Sequence, residues 1–301
     1  MADNSVKFRN NVRLTGVLED YDLELMNGTN KEGNPYTAIR GSIVINTGDN
    51  NLHTIRAFYI EKFNNGNTNG NFTVAKRILD GDADGNKNSI GMKIQLSASF
   101  EENSFVSQGE LVKTYQVSGG FLETNPQRIG SDKSEFTVDA VVSKELIPEV
   151  RNEEETGRYF VDAEVGNYRG MLYPVRFVID SQGGIDYLNS LEKPAVLSVW
   201  GDVVNNVTIV RREEENAFGD PRIVEQTFTT RENVLRGAST EPREMTELLA
   251  NAIKEGRQAY EVHLSSVENR AKEAGGNAFK GAVSQPNGGN VAAPKAEGFA
   301  F

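Results

Sequence analysis

Arg40, Arg56 and Phe58 are the residues of this sequence with the most direct chemical use. They lie in two runs, Tyr36 to Asn46 and Leu52 to Ile60, where apolar and polar residues alternate as on a half-buried strand. In the first run Ile39, Gly41, Ile43 and Ile45 share one face, the expected core side, so Tyr36, Arg40 and Ser42 face away. In the second, His53, Ile55, Ala57 and Tyr59 share a face, and Thr54, Arg56 and Phe58 the other. A guanidinium beside an open ring suits a single-stranded nucleic acid: the cation meets phosphate and the ring stacks on any base. Lys62 and Phe63 extend the set. The competing assignment puts Phe58 in the core and Tyr59 outside, with the arginines merely solvated.

Other candidates lie further along. Phe105, in the expected loop Glu101 to Gln108, offers a second ring, with Lys113 and Tyr115 to flank it. The alternative folds Phe105 back under that loop. Arg176 aligns with Arg56, and Tyr168-Arg169, Tyr173 and Arg211-Arg212 are present in the same half of the chain. Against them stand Glu153-Glu154-Glu155 and Glu213-Glu214-Glu215, which repel phosphate, so a structural or protein-binding role is as good a reading there. Trp200 alternates with Val199 and reads as core, and His53 as surface or half-buried. Asp80-Gly81-Asp82-Ala83-Asp84-Gly85-Asn86 matches the first half of a calcium loop. Gly91 stands where the bidentate Glu belongs, so an acidic turn is expected and no metal. The chain has no Cys and only two His, which excludes disulfides, cysteine nucleophiles and multi-His metal centres. No phosphate-loop, dinucleotide or nucleophile-elbow motif occurs, so neither a cofactor nor an enzyme activity is expected.

These residues need strands to hold them. The first 230 or so residues alternate in short runs broken by Gly, Asn and Asp. The first strand is Val12 to Leu18, continuing through Leu25 to a loop, Asn27 to Pro35. After the two runs above, Asn64 to Asn71 reads as too polar to pack. A short helix comes next over Phe72 to Leu79, then strands over Met92 to Phe100 and about Val112 to Leu122. The order then repeats: strands at Phe136 to Val142, Tyr159 to Val165 and Leu172 to Ile179, a helix over Ile185 to Leu191, and strands at Pro194 to Val204 and Arg222 to Thr229. Five strands with a helix after the third is the order of the OB-fold, a small Greek-key barrel. The expected fold is therefore mainly β, with two tandem OB-fold-like five-stranded barrels at residues 1–134 and 135–240. Residues 241–274 carry an amphipathic helix: Met245, Leu248, Leu249, Ala252, Tyr260, Leu264 and Val267 keep its spacing. Thr240 is its expected cap, Pro242 lies in its first turn, and Gly275-Gly276 ends it. It either packs across a barrel or associates with another copy. Residues 275–301 are expected to be a disordered tail, ending in Phe299 and Phe301, which suit a partner's pocket.

Asn10-Asn11-Val12-Arg13-Leu14-Thr15-Gly16-Val17-Leu18 resembles the first strand of bacterial-type single-stranded DNA-binding proteins, and Glu24-Leu25-Met26-Asn27-Gly28 is similar to the next stretch of that family. The second barrel, absent from the usual bacterial proteins, makes the layout resemble a bacteriophage or prophage member. The tail has only Glu297 where the family has several acidic residues. The resemblance implies single-stranded DNA as ligand, and replication or recombination proteins as partners of the tail.

Net charge is −11, so any phosphate-binding surface must be a local cluster. No apolar run is long enough to cross a membrane, and the opening residues carry no secretory pattern, so a cytoplasmic protein is expected. Two other readings remain open. One is an assembly module using tandem barrels to bind proteins. The other is a nuclease using Asp80, Asp82 and Asp84.

Overall fold

The computed structural model describes residues 6–30, 32–81, 86–214, 218 and 222–277. The chain is mainly β. In the first half, β1 (Asn10–Thr29), β2 (Pro35–Asn46) and β3 (Leu52–Ile60) are followed by α1 (Gly70–Asp80), β4 (Lys93–Ser107) and β5 (Glu110–Glu123). The second half comprises β6 (Lys133–Val142), β7 (Ile147–Arg151), β8 (Glu154–Gly166), β9 (Leu172–Ile179), α2 (Gln182–Ser190), β10 (Ala195–Glu214) and β11 (Arg222–Ala238). The chain then enters α3 (Glu247–Asn277).

Pairing in the first half runs β3-β2-β1-β4-β5, all antiparallel. In the second half β6 pairs β8, β8 pairs β9, β9 meets β11 in parallel at Val178 and Val234, β11 pairs β10, and β10 returns to β6. That ring has OB-fold strand order. The halves join through their first strands, for β1 and β6 pair antiparallel with Val12 opposite Phe136.

The buried core is continuous across that joint. Phe100, Phe136 and Phe177, from β4, β6 and β9, form an aromatic triangle with centroids 5.3 to 6.2 Å apart. Above it lies a polar hub. Asn10 Nδ2 donates to the carbonyls of Phe100 and Gly166, and its Oδ1 accepts from Phe100 N. Gly16 has a steric role, since a Cβ there would lie 2.0 Å from the Asn46 carbonyl oxygen. The Asn and Gly of the first-strand motif are thus fixed by packing.

Several elements depart from the sequence reading. β1 runs on to Thr29 instead of ending in a loop at Asn27, because it pairs with β2 as far as Thr29 and Pro35. A register shift between Leu18 and Asp20 takes up its bend. β4 and β5 extend into the expected loop, with Ser107 opposite Glu110. β10 and β11 likewise form one long hairpin, and β7 is an additional short strand. The Asn-rich stretch is partly structural. Asn69 is buried and caps α1, accepting from Asn71 N at 3.0 Å. Asn71 bridges to β5 through Gly120 O and Leu122 N.

α3 starts later than Thr240. The chain before it is held along β10 by Ser239 N to Ser198 O and Arg243 N to Val196 O, so Pro242 lies outside the helix. Thr246 is the cap, its Oγ1 accepting from Leu249 N. The helix packs across the second half. Leu249 and Ile253 are buried with Val141, Leu172 and Val196, and Arg257 pairs with Glu164. Gly256 permits the approach, since a Cβ there would meet Gly170 O at 2.8 Å. The helix passes through Gly275-Gly276 to Asn277. Helical glycine costs only about 1 kcal/mol against alanine, which is no stop by itself. Residues 278–301, with Phe299 and Phe301, and residues 82–85 of the acidic turn lie outside the described residues.

Candidate nucleic-acid interface

The β1-β2-β3 sheet carries the first cluster. On β3, Ile55, Ala57 and Tyr59 are buried, while Thr54, Arg56 and Phe58 are exposed, Phe58 by 56%. Register places Arg40 directly opposite Phe58, and Ser42 opposite Arg56. On the other side of β2, Glu24 of β1 faces Arg40, and the two form an ion pair. Tyr36 meets Phe58 edge to face, with centroids 6.4 Å apart, and its ring lies over Gly28. The result is a ring platform with cations beside it. Neither Arg56 nor Lys62 has an ion-pair partner among the described residues.

Lys62 and Phe63 belong to the turn that leaves β3. Glu61 N bonds Thr37 O, so the turn departs from the Tyr36 end of the platform. Phe63 N bonds Asn67 O, and the Phe63 side chain is 47% exposed. Six of the residues singled out from the sequence therefore share one region: Tyr36, Arg40, Arg56, Phe58, Lys62 and Phe63.

The others are elsewhere. Phe105 lies within β4, opposite Val112, whereas Lys113 is opposite Ser104 and Tyr115 opposite Glu102. Directly opposed residues share a face and neighbours alternate, so Phe105 points away from Lys113 and Tyr115. Those two are engaged by α3. The Lys113 ammonium sits 5.2 Å from the Tyr260 ring centre, and Tyr260 donates to Glu102. Desolvation first, then the Glu102 carboxylate, pushes the Tyr115 hydroxyl well above the usual phenol range. Arg176 is also occupied. It makes two bonds to Asp162, at 2.7 and 3.0 Å, and stacks 5.0 Å from the Phe160 ring centre. Its bond to Asp162 raises its pKa further and depresses that of Asp162.

A family model with the description YorF matches residues 9–270. The chain belongs to the YorF family. No curated protein sequence matches this YorF-family chain. Among solved structures, the single-stranded DNA binding protein of Thermus aquaticus is similar at 13% identity and a TM-score of 0.46, over 80% of this chain and 97% of that one. A deletion mutant of the same protein gives 13% identity and 0.44 over the same shares.

Two expectations about single residues are overturned in this YorF-family chain. Trp200 is 43% exposed, because it sits opposite Gly237 and its ring spreads over that glycine. His53 is buried, and burial lowers its pKa to about 4. The Ser134 hydroxyl donates to Val203 O at 2.7 Å, so it accepts from His53 Nε2 at 3.0 Å, and the ring is neutral. This contact and the Asn51–Asn205 pair tie the two halves together. The alternation that put His53 beside Ile55 already carried its burial.

Phe121 is not singled out from the sequence, whereas Tyr168-Arg169 and the Glu153 run are. Phe121 is 56% exposed on β5, and Tyr168 is more exposed still, with the Arg169 guanidinium on its ring. Glu153 lies in the β7–β8 turn, and Glu154 and Glu155 in β8. No cluster of metal-ligating side chains is present among the described residues.

Proposed function

We propose that this chain is a non-enzymatic, sequence-independent single-stranded DNA-binding protein. The observation that carries the reading is the platform on β2 and β3: an exposed Phe58, braced by Tyr36, directly opposite Arg40 and two residues from Arg56, which has no ion-pair partner among the described residues. Such a surface takes any base on its π-face while cations track the phosphates. Lys62 and Phe63 continue the path at the Tyr36 end. The first-strand motif, Asn10 to Leu18, favours the same ligand by resemblance. Arg176, Lys113, Tyr115 and Phe105 are peripheral in this reading, since they lie on other strands, and Arg176 is bonded twice to a largely covered Asp162 whereas the Arg40–Glu24 pair is exposed on both sides.

The chain's negative balance disfavours duplex coating and leaves the ligand to the local cations. In this proposal residues 1–134 form the binding barrel and residues 135–240 a supporting one. Phe299 and Phe301 recruit replication or recombination proteins in the host cytoplasm, the protein being phage-encoded. Fluorescence anisotropy of a labelled oligo-dT and of a duplex of equal length tests the core of it. Binding to oligo-dT, weakening with salt and at least tenfold tighter than to duplex, is expected. No binding to oligo-dT overturns the reading and leaves the barrels as protein-binding modules.

A further inference from the structure

The outer end of the β10–β11 hairpin is held by nothing else among the described residues. β6 pairs β10 over Ala195 to Asp202, β9 meets β11 at Val234, and the β2–β3 turn reaches β10 at Asn206 and Val207. From Thr208 opposite Phe228 to Glu214 opposite Arg222, the two strands pair only with each other. A free two-stranded ribbon is marginal in water, and its open edges are templates for another strand.

Natural edges are guarded by charge, proline or a bulge. The β11 edge lacks all three over Gln226-Thr227-Phe228-Thr229-Thr230, where every residue is exposed and the register runs unbroken. The charges stand at its ends. Glu225 and Arg231 are each three residues from Phe228, and they are of opposite sign. That arrangement is complementary to itself when read antiparallel.

We propose that this edge of β11 pairs with the same edge of a second copy of the chain, antiparallel, across a two-fold axis at Phe228. Glu225 then lies opposite Arg231 of the second copy, and the reverse pair forms on the other side of the axis. Each row is already prepared within one chain. Arg211 bonds Glu225 at 2.8 Å from the neighbouring strand, and Arg231 Nε donates to Asn205 Oδ1 at 3.2 Å. Across the interface the row therefore reads Arg211, Glu225, then Arg231 and Asn205 of the second copy. Phe228, 46% exposed, gains its own symmetry mate as neighbour. The product is a closed four-stranded ribbon with isologous contacts, which does not propagate. This inference is independent of the single-stranded DNA reading.

The chain has no cysteine, so a single introduced thiol reports the axis. Phe228→Cys places two thiols on directly opposed residues, about 4.5–5.5 Å apart at Cα, within disulfide reach. Ile223→Cys lies on the same strand, five residues off the axis. Its thiols would be about 33 Å apart at about 3.3 Å per residue. The expected results concern the full chain under mild oxidation at micromolar concentration. Phe228→Cys should link into dimers at least tenfold faster than Ile223→Cys. The unmodified chain should sediment at twice its own mass, and Arg231→Glu, with unchanged circular dichroism, as a single chain. Equal linking at the two positions, a monomeric unmodified chain, or a dimer indifferent to Arg231→Glu overturns the proposal. Reduced oligo-dT affinity of Arg231→Glu without a change in mass would assign the edge to nucleic acid instead, and overturns it too.

Discussion

Phe58 and Tyr59 are neighbours with opposite environments, and truncating each separates binding from stability. Phe58 is 56% exposed and Tyr59 is buried, its hydroxyl pushed up to about 12 by desolvation. Phe58→Ala removes a ring that makes few core contacts, so the folded state should lose no more than about 0.5 kcal/mol. Loss of a base-stacking ring costs about 1–3 kcal/mol of binding, a factor of about 5 to 150 in affinity for oligo-dT. Tyr59→Ala opens a cavity under β3 and should cost about 3–5 kcal/mol of stability, by analogy with other buried aromatic truncations. Urea melts give the first quantity and anisotropy titrations the second. If Phe58→Ala unfolds as easily as Tyr59→Ala, the pleat of β3 is wrong. If it folds normally and binds oligo-dT as tightly as the parent, the platform is wrong.

The same geometry carries three further outcomes. Glu24→Gln releases Arg40 from an exposed ion pair worth at most about 1 kcal/mol, so oligo-dT affinity should rise by up to about fivefold; an unchanged or weaker titration would count against Arg40 as a phosphate contact. Gly16→Ala sets a methyl against the Asn46 carbonyl and should cost about 1–3 kcal/mol, read as a lower thermal midpoint. His53 has a folded pKa of about 4, below its unfolded value of about 6.5, so its stabilising contribution is complete above pH 6.5 and is lost as pH falls toward 4. That loss approaches about 3 kcal/mol. Urea melts at pH 7.5 and 4.5 should show a steeper acid decline for the parent than for His53→Gln, and equal declines would remove His53 as the cause.

The sequence was most legible where one face of a strand is buried and the other wet. Leu52 to Ile60 alternates without a break, and its bounds and its outward residues could be read directly. Turn chemistry was a poorer guide. Glu101 to Gln108 looks like a loop because its residues are polar, yet Glu101 to Ser107 lies in a long hairpin whose cross-strand ladder holds it extended, and the β1–β2 ladder likewise takes in Asn27 to Thr29 and Pro35 at the two ends of the other expected loop. Phe105, Lys113 and Tyr115 were grouped by nearness in sequence, and the two-residue pleat separates them. Trp200 illustrates a different limit. Its exposure depends on Gly237, 37 residues away, which no local pattern links to it. The roles of Arg176 and Arg257 also depend on distant partners, so only the folded chain shows which cations are already neutralised.

The central claim is that a single strand lies over Phe58 and Tyr36 on β2 and β3. Photo-crosslinking the full chain to an oligo-dT bearing 5-iodouracil, with peptide mapping of the adducts, tests it most directly. The account predicts adducts concentrated in residues 36–63, at Phe58 first and then Tyr36 or Phe63. Adducts confined to the β8–β9 face, to Trp200 or to the β4–β5 hairpin would contradict it, as would an absence of adducts at concentrations where the strand is fully bound.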